Sequence, residues 1–138
     1  ALFWLTRYRR GALLSALAPT CSSVLSEYVL KPLVHRTKSG YLAYPSGHAA
    51  GWCAIAFAVV LVLAAPSYRR LPRRASTGVV ALVLLLTAAS MLGLVASNYH
   101  YSTDVIGGIC LALGCVLAVA LVLDALAAVL VRRGPYGQ

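Results

Sequence analysis

Long apolar stretches, interrupted only by short clusters of arginine, organise the whole chain. Three of them are uninterrupted, from about Ala49 to Ala65, Thr77 to Ser97 and Val105 to Val131, and a helix needs roughly 20 apolar residues to cross a bilayer about 30 Å thick. The last carries Asp124 near its far end, where a polar side chain reaches the interface. A fourth stretch, from about Gly11 to Val34, holds Pro19, Glu27 and Lys31. It reads as a helix because Glu27 precedes Lys31 by four residues, the spacing at which a helical ion pair partly offsets the burial of each charge. The expected architecture is all-α, a polytopic transmembrane helix bundle forming one domain over residues 1–138 with four spans. Ala1 to Thr6 reads as the apolar tail of an earlier span, stopped by the basic cluster at Tyr8 to Arg10.

Composition agrees with that pattern. Of 138 residues, 61% are apolar and only 11% charged, whereas a water-soluble domain keeps about a quarter of its residues charged. The net charge of +9 would point to a polyanion in a soluble protein; in a membrane protein it reports topology, so no nucleic-acid partner is expected. Arg7, Arg9, Arg10, Arg69, Arg70, Arg73, Arg74, Arg132 and Arg133 fall on one face, nine of the twelve basic residues, and this face is expected to be cytoplasmic. Lys31, Arg36 and Lys38 fall on the other, with the polar connections His35 to Pro45 and Asn98 to Thr103. Ala89, Gly93 and Ser97 on the third span, and Gly108 and Ala112 on the fourth, suit close helix packing. Cys21, Cys53, Cys110 and Cys115 lie within spans, form no CxxC pair, and read as small apolar fillers.

The candidate chemistry lies in the two outer connections. His35, His48 and His100 all fall at that edge, among Lys31, Arg36, Lys38, Ser46, Gly47, Tyr99 and Asp104, an inventory suited to binding and attacking a phosphate. In Tyr44 to Ala50, reading Y-P-S-G-H-A-A, Ser46 is a natural N-cap and Gly47 permits close backbone approach. The first helical turn then offers unpaired N–H groups to an anion, with His48 beside it as a proton donor. An ordinary helix cap with an interfacial histidine accounts for the same residues. In S-N-Y-H-Y-S-T-D, His100 and Asp104 are four apart, so the carboxylate can hold one imidazole nitrogen and leave the other a free lone pair. Asp104 alone also reads as a helix cap.

Together these segments resemble the type 2 phosphatidic acid phosphatase superfamily of integral membrane lipid phosphatases, whose signatures are K-x6-R-P, P-S-G-H and S-R-x5-H-x3-D. Pro45, Ser46, Gly47 and His48 match the second in full, His100 and Asp104 match the H-x3-D of the third, and Lys31 matches the first with Lys38 in the arginine position. The resemblance implies that His100 attacks phosphorus to form a phosphohistidine, Asp104 holds its ring, and His48 protonates the leaving oxygen. Lys31, Lys38, Ser46 and Gly47 would hold the phosphate oxygens, with no metal and no cofactor. It also implies a six-span fold, of which two N-terminal spans would precede the four visible ones. Leu94 stands where the family places a phosphate-clamping arginine, and Gly93 where it places serine. Loss of such a transition-state donor costs about 3 kcal/mol; Lys38 also lacks the arginine fork, and Arg36, two residues away, offers a guanidinium to compensate for either loss.

The expected function is therefore metal-independent hydrolysis of a lipid phosphate or diphosphate, at an active site on the extracytoplasmic side of the cell membrane. The alternative, motivated by Leu94, is a catalytically weak member acting as a lipid-binding or assembly subunit. A zinc site of His48, His100 and Asp104 fits less well, because the neighbouring basic residues repel cations. The particular lipid and the oligomeric state stay open.

Overall fold

The apolar stretches are helices in the computed structural model, which describes residues 2–65 and 72–133; Arg69 and Arg70 of the basic segment lie outside them. Helix α1 spans Leu2–Val24 and continues as a π-helical segment, Leu25–Leu30, into the short α2, Lys31–Val34. A two-stranded hairpin follows, β1 Thr37–Lys38 and β2 Tyr41–Leu42, then α3 Gly47–Ala64, α4 Arg73–Ala96 and α5 Ser102–Arg133. Four helices are long and apolar enough to cross a membrane: 9–34, 47–64, 73–96 and 102–130. Each begins before the stretch expected from hydropathy, because polar and basic residues join the start of each helix. One expectation fails at the amino end. The basic cluster at Tyr8 to Arg10 does not stop a helix there; α1 runs through it from Leu2, since arginine is a good helix former whatever its hydropathy.

Helix α3 is the centre of the bundle, packed against α1 and α5, while α4 attaches chiefly through α3. Sequence explains this. On α3, Ala50, Ala54 and Ala58 recur every four residues, with Ala49 and Cys53 beside them, and all five are buried. Small side chains let the neighbouring backbones approach, which is how helices gain contact area where lipid supplies no hydrophobic drive. Leu14 and Ala18 of α1, Met91 of α4, and Val105, Ala112 and Val116 of α5 complete this core.

The two small-residue stripes expected from sequence behave differently. On α5, Gly108 and Ala112 are buried at the α3 contact: a Cβ on Gly108 would stand 2.6 Å from the Ser46 carbonyl oxygen and 2.8 Å from the Ala49 Cβ. On α4, Ala89, Gly93 and Ser97 are exposed, and nothing lies within 4 Å of a Cβ built on Gly93. That stripe packs against nothing among the described residues. The outward face of α4 instead presents Leu82, Leu85, Leu86 and Leu92, the composition of a surface that meets hydrocarbon. At the arginine-rich end, Arg10 of α1 and Asp124 of α5 stand 3.6 Å apart, so the acid in the last span has a partner.

Candidate active site

The opposite end of the bundle is where the chemistry gathers. Two helix N-termini, those of α3 and α5, lie side by side there, joined by a backbone hydrogen bond in which the Ser46 N–H donates to the Asp104 carbonyl oxygen at 2.9 Å. Their closeness depends on Gly108, as above, and on Gly107, whose missing side chain leaves room for the Tyr44 ring. Ser46 is the N-cap of α3, its hydroxyl accepting from the Ala49 N–H at 3.3 Å, and it is fully buried. The cap expected at this position is therefore present, with His48 on the exposed side of the first turn.

Asp104 closes the start of α5 in the same way. Its Oδ2 accepts from the Tyr101 N–H at 3.0 Å, the reach-back half of a capping box. The carboxylate has no exposed surface. Burying such a charge costs several kcal/mol unless it is compensated, and compensation comes from the α5 N-terminus and from Arg36, whose Nη1 is 3.2 Å from Oδ1 and donates to Thr103 Oγ1 at 2.8 Å. His100 Nδ1 stands 3.7 Å from Asp104 Oδ2. The spacing of four residues thus brings imidazole and carboxylate together, but at ion-pair distance rather than in the hydrogen bond expected, because the helix cap already occupies Oδ2. Such contacts commonly shorten only when substrate is bound.

His100 is placed by the end of α4. Asn98 takes a left-handed conformation, φ 56°, and the Asn98 and Tyr99 N–H groups donate to the Val95 and Leu94 carbonyls. This is a Schellman closure, and the His100 N–H shares the Leu94 carbonyl at 3.1 Å. Leu94 is thus tied to the site through its backbone, while its side chain packs on the apolar core; no guanidinium occupies that position. The turn carries the His100 ring to 6.4 Å from that of His48 and 5.7 Å from Tyr99, with His48 and Tyr99 6.0 Å apart. The two histidines, 52 positions apart in the chain, are therefore brought side by side.

The cations come from the segment before α3. Ser39 and Gly40 both have positive φ, 51° and 85°, the left-handed pair of a two-residue hairpin turn, where glycine is favoured. This turn fixes the register Lys38 opposite Tyr41. Lys38 then donates to Asn98 Oδ1 at 2.8 Å and lies 4.2 Å from the centre of the Tyr101 ring, which Arg36 approaches at 5.0 Å. Lys31, at the start of α2, is paired with Glu27 at 2.7 Å. The sequence reading named these cations and the Glu27–Lys31 pair, but missed the side chains that aim the other two: Asn98, Tyr101 and Thr103. Their place in the polar connection Asn98 to Thr103 was the available signal. His35, by contrast, turns away; its ring engages the Pro32 carbonyl at the end of α2 and makes none of the ring contacts that join His48, Tyr99 and His100.

Burial holds the His100 imidazole below the usual histidine range. The negative charge of Asp104 opposes that shift, and the positive charges of Lys31 and His48 add to it. The lowered pKa favours the neutral ring, whose Nδ1 is the nitrogen toward Asp104. Among the described residues, no three His, Cys, Asp or Glu side chains are grouped as metal ligands. The surroundings are cationic and the helix N-termini are positive, an arrangement that selects an anion.

Comparison with curated proteins and with solved structures gives no match. The family model described as the PAP2 superfamily matches residues 11–127, an extent that takes in both histidines, Asp104, the three cations and all four apolar helices. The chain therefore belongs to the PAP2 superfamily, a phosphatase-type family.

Proposed function

We propose that this protein is a metal-independent phosphatase acting on a lipid phosphate or diphosphate at the outer face of the membrane, through a phosphohistidine intermediate. The observation that carries this reading is the approach of His48, on the first turn of α3, and His100, in the turn between α4 and α5, to 6.4 Å, beside buried Asp104 and three basic side chains. In the first step the Nε2 lone pair of His100 attacks phosphorus, the P–O bond to the lipid breaks, and His48 gives its proton to the departing oxygen. Asp104 stabilises the positive charge that develops on the His100 ring. In the second step His48 takes a proton from water as that water attacks phosphorus, the N–P bond breaks, and phosphate leaves. Lys31, Arg36, Lys38 and the first turn of α3, with Ser46 and Gly47, stabilise the equatorial oxygens throughout.

Arg36 favours this reading over a catalytically weak subunit. It supplies a guanidinium at the site although position 94 is leucine, and its contacts with Thr103 and Asp104 hold it there. A lipid substrate is supported by tyrosine placement: Tyr28, Tyr41, Tyr44, Tyr99 and Tyr101, five of the eight in the chain, lie at this end, as in the aromatic belts at headgroup level. The test is trapping on purified protein with 32P-labelled phosphatidic acid. An acid-labile label on the wild type, absent in His100→Ala together with phosphate release, is the expected result. Phosphate release that survives in His100→Ala overturns the proposal.

A further inference from the structure

Glu27 plays no part in the chemistry above, yet it is built into the site. The π-helical segment places it one turn before Lys31 and directly under the start of α3. π-Turns shift the register of a helix face and recur at functional sites. Here the shift sends Ser26 Oγ to the Pro45 carbonyl oxygen at 3.2 Å and lays the Glu27 carboxylate against Gly47, so closely that a methyl group on Gly47 would collide with it. Lys31 Nζ is 2.7 Å from Oε1 and 2.9 Å from Oε2 of the same carboxylate. The carboxylate thus takes Lys31 and lies against Gly47 in the first turn of α3, the groups proposed above to hold a phosphate. Its side chain is 47% exposed, so no packing locks it there.

We propose that Glu27 is a specificity-determining residue: a tethered anion that fills the α3 site until a more highly charged phosphate displaces it. This rests on phosphate binding at α3 as proposed above. The selectivity follows from charge. A phosphodiester headgroup carries a single negative charge, so exchanging it for the carboxylate leaves the local balance unchanged while an extra molecule is immobilised. A terminal phosphate carries about −1.5 to −2 at pH 7 and three acceptor oxygens, enough to take over Lys31 and the helix N-terminus and release Glu27 to solvent. A site open to the headgroup layer meets phosphodiesters in large excess. Glu27 sets a threshold that keeps them out without a steric gate.

The experiment is titration calorimetry on the full chain in detergent micelles, comparing wild type, Glu27→Gln and Glu27→Ala. The probes are orthophosphate and dihexanoylphosphatidylglycerol, a soluble phosphodiester lipid. The wild type is expected to bind orthophosphate and to give no heat with the diester. Both variants are expected to bind orthophosphate about tenfold more tightly, as follows from removing one negative charge within a few ångströms in a partly solvated site, and to acquire diester binding. Variants that bind orthophosphate no more tightly than the wild type overturn the proposal, as does a wild type that already binds the diester equally well. Absence of orthophosphate binding in all three removes the anion site and the proposal with it. Binding is read without turnover, so a wild type that binds phosphate but hydrolyses no lipid refutes the phosphatase reading and leaves the role of Glu27 decided by the titrations.

Discussion

Gly108→Ala asks whether the two helix N-termini must touch for the site to exist. The added Cβ would lie 2.6 Å from the Ser46 carbonyl oxygen, 2.8 Å from the Ala49 Cβ and 3.0 Å from the Ala50 nitrogen. Two of these are backbone atoms and the third is bound directly to backbone, so no rotamer change relieves the clash. Restoring ordinary contact requires the start of α3 to move from α5 by several tenths of an ångström to an ångström. Overpacking of this kind costs about 1–3 kcal/mol. The catalytic cost is separable, since His48 rides on α3 while Asp104 rides on α5, and an ångström of misplacement can cost about a hundredfold in rate. Gly93→Ala is the matched control: nothing lies within 4 Å of its Cβ, so it should gain the helix propensity of alanine, up to roughly 1 kcal/mol. The assay is phosphate release from phosphatidic acid in mixed micelles, with thermal unfolding on the same samples. Gly108→Ala should lose about two orders of magnitude in kcat/KM while remaining folded, and Gly93→Ala should match the wild type. Wild-type turnover in Gly108→Ala would refute the argument that the contact between these two helix ends assembles the site.

The His100 ring should titrate below the ordinary histidine range when followed by NMR, because burial favours its neutral form. Lys31→Met removes a positive charge that lowers this pKa, so it should move the titration upward, whereas Asp104→Asn removes the charge that raises it and should move it further down; equal titrations in all three would exclude this electrostatic coupling. The folded protein binds the His100 proton less readily than the unfolded chain, so this group's contribution to stability is complete above the unfolded histidine pKa and is lost as pH falls through the lowered folded value. Unfolding scans across that window should show stability declining toward acid, less steeply in Lys31→Met. Ser46→Ala removes the N-cap of α3 and should cost about 1 kcal/mol in unfolding free energy, with a fall in turnover, while Thr77→Ala at the opposite end of the bundle should leave turnover unchanged.

The division between what could be read from the chain and what could not follows the range of each interaction. Helix identity depends on local hydropathy, so all four apolar helices were legible. The caps at Ser46 and Asp104 were legible as well, because a cap acts over three residues. The pairing of Glu27 with Lys31 was visible in their spacing of four. Beyond that range the sequence offered only candidates. Two small-residue stripes looked alike, yet Gly108 meets α3 and Gly93 meets nothing, since which helix faces which is decided by the bundle as a whole. The same holds for Asp104. Its spacing from His100 promised a hydrogen bond, but the carboxylate is also claimed by Arg36, and this competition exists only once the hairpin has folded across the start of α5.

That competition also bears on how a leucine at position 94 fits the proposed site. A guanidinium that clamps phosphate need not come from one particular helix; it needs only a charge of fixed orientation within reach of the oxygens. Arg36 is oriented by three independent contacts, the Thr103 hydroxyl, the Asp104 carboxylate and the face of Tyr101. Leu94 is turned into the core, where its carbonyl holds the loop that carries His100. On the proposed reading the anion is bound by a side chain from a different loop, while position 94 braces the turn through its backbone carbonyl alone. On this reading Arg36→Lys, which keeps the charge but loses the fork, should weaken phosphate binding more than Lys38→Arg, whose contacts with Asn98 and Tyr101 tolerate either cation. Calorimetric titration with orthophosphate measures both, and equal affinities for the two variants would remove Arg36 from the clamp.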